Sequence, residues 1–312
     1  MEPHGRFASF QILRNASLGT LLFSLLLFSI VGALLFSFFS LLLGALAFQL
    51  PIDAMLSSTP ESHQALQMLK VVQVFSSLGL FAFPPIVVLW LAGYRPLHFL
   101  GLQQAPRMGA LAFVVLWMVV QLPWINFTGW FNQQLSLPGV LAPLMDSIRA
   151  KELQAQALIT QFLEMPRPLN LVLTFFMIAV VPALSEELLF RGALQGLLQR
   201  YGRNTHVSVW LSAFIFSFIH FQFLGFLPRL LIGAFLGYLY AGTRNLWYPI
   251  AAHLTNNGIA VVLYYGLQQG YWQFSTDQLG TGSGMYTEAL ISVLLTVAGA
   301  FLWQRFFKRS LH

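Results

Sequence analysis

The chain contains no cysteine. That absence excludes disulfides, thiol nucleophiles and cysteine-held metal, and leaves any chemistry to oxygen and nitrogen side chains. Charge is almost as scarce: 8% of residues are Asp, Glu, Lys or Arg, against roughly 25% in ordinary soluble domains, while 57% are hydrophobic. A water-facing surface cannot be built from this composition. No internal repeat divides the chain, and no linker or composition shift separates two bodies, so residues 1–312 read as a single membrane domain.

What is present is a series of long apolar runs, near residues 18–44, 69–93, 108–127, 169–190, 206–223, 226–242, 246–266 and 286–307. Each approaches the length that crosses a hydrocarbon core. Lipid offers the backbone no hydrogen-bond partner, and the runs lack the alternation of an outer-membrane barrel strand, so they are expected to be helices. The expected fold is therefore all-α and polytopic, with about eight transmembrane helices. Arg6 and Arg14 precede the first run and Ala45-Leu46-Ala47 follows it, which imitates a signal peptide, but the apolar stretch is too long and is read as a retained helix. Pro182 is placed to break the fourth run.

The formal charge of +6 does not indicate a nucleic-acid partner, because the basic residues follow topology. Arg6, Arg14, Arg95, Arg107, Arg200, Arg203, Arg244, Arg305, Lys308 and Arg309 fall at the termini and in alternate loops, whereas Asp53, Glu61, Asp146, Glu152, Glu164 and Asp277 fall in the intervening ones, which hold few basic residues beyond Lys70, Arg149, Lys151, Arg167 and Arg229. The bias places both termini in the cytoplasm of a multi-pass protein, in the plasma membrane if the host is bacterial. Between residues 128 and 168, Leu144, Met145, Ile148, Ala155, Leu158, Ile159 and Phe162 recur at near-helical spacing among charged residues. This predicts an amphipathic helix, lying on the membrane interface or packed on the ends of the bundle.

Among ten acidic residues, only Glu186 and Glu187 lie deep within an apolar run. A charge at membrane depth is costly, roughly 2.5 to 3.5 kcal/mol on insertion scales, so such groups are expected to serve a function. Glu187 and Arg191 are four apart and share a helical face as an ion pair, leaving Glu186 turned roughly 100° away to hold a proton or polarise water. Two other runs carry polar groups: Phe216 and His220 in the fifth, His253 and Asn257 in the seventh. A buried histidine or a Glu–Arg pair taken singly is as easily structural. Glu186, His220, His253 and Asn257 together point to one wet cavity served by three helices.

In order and spacing these residues resemble the CAAX protease and bacteriocin-processing family, whose eukaryotic members include the type II CAAX prenyl endopeptidase. Its Glu-Glu-x-x-x-Arg pattern is matched by Glu186, Glu187 and Arg191, its Phe-x-x-x-His by Phe216 and His220, and its His-x-x-x-Asn by His253 and Asn257. Residues 169–266 form the core that carries the three motifs. The resemblance implies an intramembrane endopeptidase acting on a membrane-associated peptide or protein, in which Glu186 and His220 activate water, His253 and Asn257 stabilise the oxyanion, and Glu187, Arg191 and Phe216 support the site. Zinc held by Glu186, His220 and His253 is an option. The chain lacks His-Glu-x-x-His, and a metal-independent glutamate–histidine mechanism is favoured.

Other protease classes fit worse. No aspartate lies deep in a run, which removes an aspartyl dyad, and Ser185, Ser212 and Ser217 lack a Gly-x-Ser-Gly setting. The alternative from another class is a noncatalytic membrane protein, a proton-coupled transporter or an immunity factor, that uses the same polar cluster. Against a transporter stands the lack of repeat symmetry.

Overall fold

The computed structural model describes residues 11–48, 62–135, 139–273 and 279–307. Arg6, Asp53, Glu61, Asp277, Lys308 and Arg309, which entered the charge argument, lie outside these residues. Among the described residues the chain is helical and has no strand. Among the described residues six helices are long and apolar enough to cross a membrane: Leu18–Ala47, Gln64–Leu91, Met108–Gln134, Pro168–Arg200, Phe223–Thr243 and Met285–Arg305. The other two expected spans fall short for different reasons. Thr205–Phe218 has 14 residues, or about 21 Å of helix against a core of about 30 Å. Trp247–Gln268 has 22 residues but dilutes its hydropathy with His253, Thr255, Asn256 and Asn257.

The chain divides into two compact units, one drawn from residues 1–105, 181–208 and 244–247, the other from 106–180, 209–243 and 248–312. In the first unit, Leu18–Phe48 packs along His63–Ser77, the π-helical turn Leu78–Ala82 and Phe83–Leu91. The crossing is set by glycine. A Cβ on either Gly32 or Gly79 would collide with the carbonyl oxygen of the other, so only hydrogen at both positions permits this approach. The rings of Phe28 and Phe36 close on Phe83, and Ser37 and Ser76 share a 2.7 Å hydroxyl hydrogen bond. The outer face of the first helix carries Phe23, Leu34 and Phe38 at 64 to 69% exposure, as expected of a surface solvated by lipid. Residues 181–195 pack against the same group, with the Phe81 and Phe190 rings 5.9 Å apart.

The second unit is built around Met108–Gln134, flanked by Met285–Phe307 and Phe226–Thr243. Trp117, Met118, Leu236, Leu239, Tyr248 and Trp303 fill its core. The indole N–H of Trp117 donates to the Thr296 carbonyl at 3.1 Å, and the Ser292 hydroxyl donates to that of Val120 at 2.6 Å, so these two side chains inside the bundle are joined to backbone. The expected amphipathic helix is present as Ala142–Phe162. It packs on its own unit, since Glu152 accepts the Leu224 N–H at 2.9 Å, while Leu144 and Leu153 point outward.

Candidate active site

The first group of candidate residues sits in the helical stretch Pro168–Arg200. Proline at its first position loses nothing, because that N–H would have no helical acceptor. Pro182 does not break the helix as expected. The backbone widens into a π-turn over Phe176–Val180, one residue before Val181 and Pro182, and then continues. Leu78–Ala82 shows the same device just ahead of Pro84 and Pro85. The wider turn accommodates a residue that lacks an N–H and whose ring would strike the carbonyl four residues back.

A third π-helical segment, Leu188–Gln195, follows the two glutamates. Gly192 within it lies against Leu100, whose side chain occupies the place where a Cβ would stand. The expected pair is formed: Arg191 Nη1 donates to Glu187 Oε1 at 2.7 Å, with both side chains fully buried. Glu186 differs, retaining 8% exposure where Glu187 retains none. Two adjacent carboxylates thus have different settings. Glu187 is committed to an ion pair, and Glu186, also buried, keeps a small residual exposure. Ser185, which precedes them, turns its hydroxyl back to the Val181 carbonyl at 2.7 Å and offers no nucleophile-like arrangement.

The second group lies in the other unit. Phe216 is buried on Thr205–Phe218, but His220 is not within a span as expected; it stands in the turn two residues beyond the helix and is half-buried. Phe221 stops the helix there with a left-handed backbone, φ 52°. His220 Nδ1 lies 2.7 Å from the Phe216 carbonyl oxygen. A carbonyl only accepts, so Nδ1 carries the hydrogen, and the basic lone pair of the neutral ring belongs to Nε2. The Phe216 ring meets His220 at 5.0 Å and His253 at 6.1 Å, both edge to face. One aromatic ring therefore spaces two imidazoles. Gly233 makes room for it, because a Cβ there would press on Ala213 and Phe216.

His253 is buried on Trp247–Gln268. One turn further, Asn257 donates from Nδ2 to the Ile178 carbonyl at 3.0 Å and accepts the Asn256 amide N–H at 3.0 Å. Ile178 is the residue four before Pro182, which has no N–H to give it. A side chain from another helix thus supplies the donor that proline cannot, as buried backbone in lipid requires.

Several further residues hold this region, in roles that the sequence does not signal. Asn132 donates to the Phe223 carbonyl at 2.8 Å and accepts the Leu227 N–H at 2.8 Å. Ser217 donates to the Phe226 carbonyl at 2.7 Å, and Glu152 holds the Leu224 N–H. Together they fix the turn that follows His220. Asn132 at a span end and Glu152 on an amphipathic helix read as ordinary interface residues, and the partners lie 72 to 95 positions away.

Among the described residues no three His, Cys, Asp or Glu side chains are grouped to hold a metal ion.

Residues 168–259 match the family described as type II CAAX prenyl endopeptidase Rce1-like. The matched segment contains all three motifs, so the resemblance read from them holds. Two curated proteins of Bacillus subtilis (strain 168) are also similar. "Uncharacterized protein YpbD" is 37% identical over 75 residues, 23% of this chain and 35% of that protein. "Putative membrane peptidase YdiL" is 28% identical over 101 residues, 32% of this chain and 41% of that protein. The matches thus span about two-fifths or less of the length of these relatives. No solved structure matches the chain.

Proposed function

We propose that this integral, multi-pass membrane protein, which carries an Rce1-like segment at residues 168–259, is an intramembrane endopeptidase that hydrolyses a peptide bond of a membrane-associated peptide or protein. The observation that carries the reading is the family match over a segment holding Glu186, Glu187, Arg191, Phe216, His220, His253 and Asn257 in the family's order.

In this mechanism Glu186 takes a proton from water while His220 Nε2 orients it, and the water oxygen bonds to the substrate carbonyl carbon. His253 and Asn257 donate to the oxyanion that results; removal of one such donor typically costs about 2.7 to 4 kcal/mol of transition-state stabilisation. The oxyanion collapses, the carbon–nitrogen bond breaks, and the proton held by Glu186 passes to the leaving nitrogen. Glu187 and Arg191 hold the helix that presents Glu186, and Phe216 sets the His220 tautomer through its carbonyl. The charge bias of the loops supports cytoplasmic termini.

The test is incubation of the purified chain in nanodiscs with a panel of membrane-anchored peptides, with products read by mass spectrometry. Cleavage at a defined bond by the wild type, absent with Glu186→Gln, is expected. Equal product from both proteins refutes the assignment.

A further inference from the structure

The second unit contains a cavity of about 850 Å³ that the chemistry above does not use. It is walled by the end of Met108–Gln134, by Ala142–Phe162 and by the turn and helix start at residues 222–229. Its volume falls in the range of sites that enclose a ligand, roughly 300 to 1,000 Å³, and suits a short stretch of peptide. The wall begins at Gln222, two residues past His220.

Its chemistry is specific. Arg149, Arg229 and Glu152 are the charged residues of the lining. Glu152 is already an acceptor for the Leu224 N–H, and the Arg229 guanidinium donates to Gln222 Oε1 at 2.8 Å and to the Gln222 carbonyl at 3.3 Å. Arg149 is exposed and, among the described residues, has no hydrogen-bonding or ionic partner. The side-chain amides of Gln133 and Gln156 likewise have no partner among the described residues. A primary amide both donates and accepts, as a peptide backbone does, and an uncommitted guanidinium favours a carboxylate.

We propose that this cavity binds a polar peptide segment bearing acidic side chains, the hydrophilic part of the substrate beyond the cleaved bond. The proposal rests on the peptidase reading for the identity of its ligand. Gln133 and Gln156 hold the backbone of the bound segment, and Arg149 selects its charge.

Binding can be read apart from turnover on the Glu186→Gln chain in zwitterionic nanodiscs, with two eight-residue peptides that differ only by two Asp in place of two Asn. The acidic peptide should bind about fivefold tighter, the ratio set by roughly 1 kcal/mol for one accessible ion pair. Arg149→Gln should abolish the preference without weakening the Asn peptide, and Arg149→Lys should keep most of it. High salt should narrow it. Equal binding of the two peptides, or a preference that survives Arg149→Gln, overturns the proposal. So does Arg149-dependent retention of phosphatidylglycerol without any preference between peptides. If the charge preference is found but the wild type hydrolyses nothing, the peptidase reading fails while the cavity assignment stands. Hydrolysis without charge preference supports the peptidase reading and overturns the cavity assignment.

Discussion

His220 Nδ1 lies 2.7 Å from the carbonyl oxygen of Phe216, which assigns the imidazole hydrogen to Nδ1. The family-like spacing of phenylalanine and histidine thus acquires a reason: the residue four back contributes its backbone, and its ring spaces His220 from His253. We expect ¹⁵N spectra of histidine-labelled protein, recorded at a pH where His220 is neutral, to show it as the Nδ1–H tautomer. An Nε2–H tautomer would contradict the placement of the hydrogen on Nδ1.

The Glu187–Arg191 pair is fully buried, so removing one partner strands the other. Arg191→Met should lower stability by about 3 to 5 kcal/mol, whereas Glu187→Met with Arg191→Met should recover most of that loss. Thermal melts in detergent measure both, and an additive double variant would show that the two groups do not act as a pair.

Asn257 donates to the carbonyl that Pro182 cannot serve. Asn257→Leu should cost about 1 to 3 kcal/mol, the usual penalty for a buried acceptor left without its donor. Pro182→Ala restores a backbone N–H and should soften that loss. If the melting temperature of Asn257→Leu is unchanged by Pro182→Ala, the carbonyl is not the point of stress.

Phe221 holds a left-handed backbone at 69% exposure. Glycine adopts that conformation without strain, while a β-branched residue resists it. Phe221→Gly should therefore be nearly neutral in stability, and Phe221→Val should be worse by about 1 to 2 kcal/mol. Equal melting temperatures would mean that the turn does not depend on this torsion.

Much of this was legible in the residues. The runs fell where helices formed because lipid-facing segments need long apolar stretches whatever they pack against, and the Glu187–Arg191 spacing could be met on one helical face. The number of full spans was less legible, since 14 residues at 205–218 merge by hydropathy with the turn that follows. His220 was displaced from its expected span by the torsion of Phe221, which has no signature in a phenylalanine. The π-turns before Pro84 and Pro182 had only a partial one: proline marked the stress, but the chain relieved it by widening and not by breaking. Asn132 and Glu152 were hidden because their partners are distant in the chain and are backbone atoms.

The proposed hydrolysis stands or falls on Glu186 as the base for water. The direct measurement is the initial rate of peptide cleavage by wild-type chain and by Glu186→Gln in matched nanodiscs, after melts show that both are folded. A loss of at least about a hundredfold, the lower range for a positioned general base, is the expected result. Undiminished cleavage by the folded Glu186→Gln chain would contradict it.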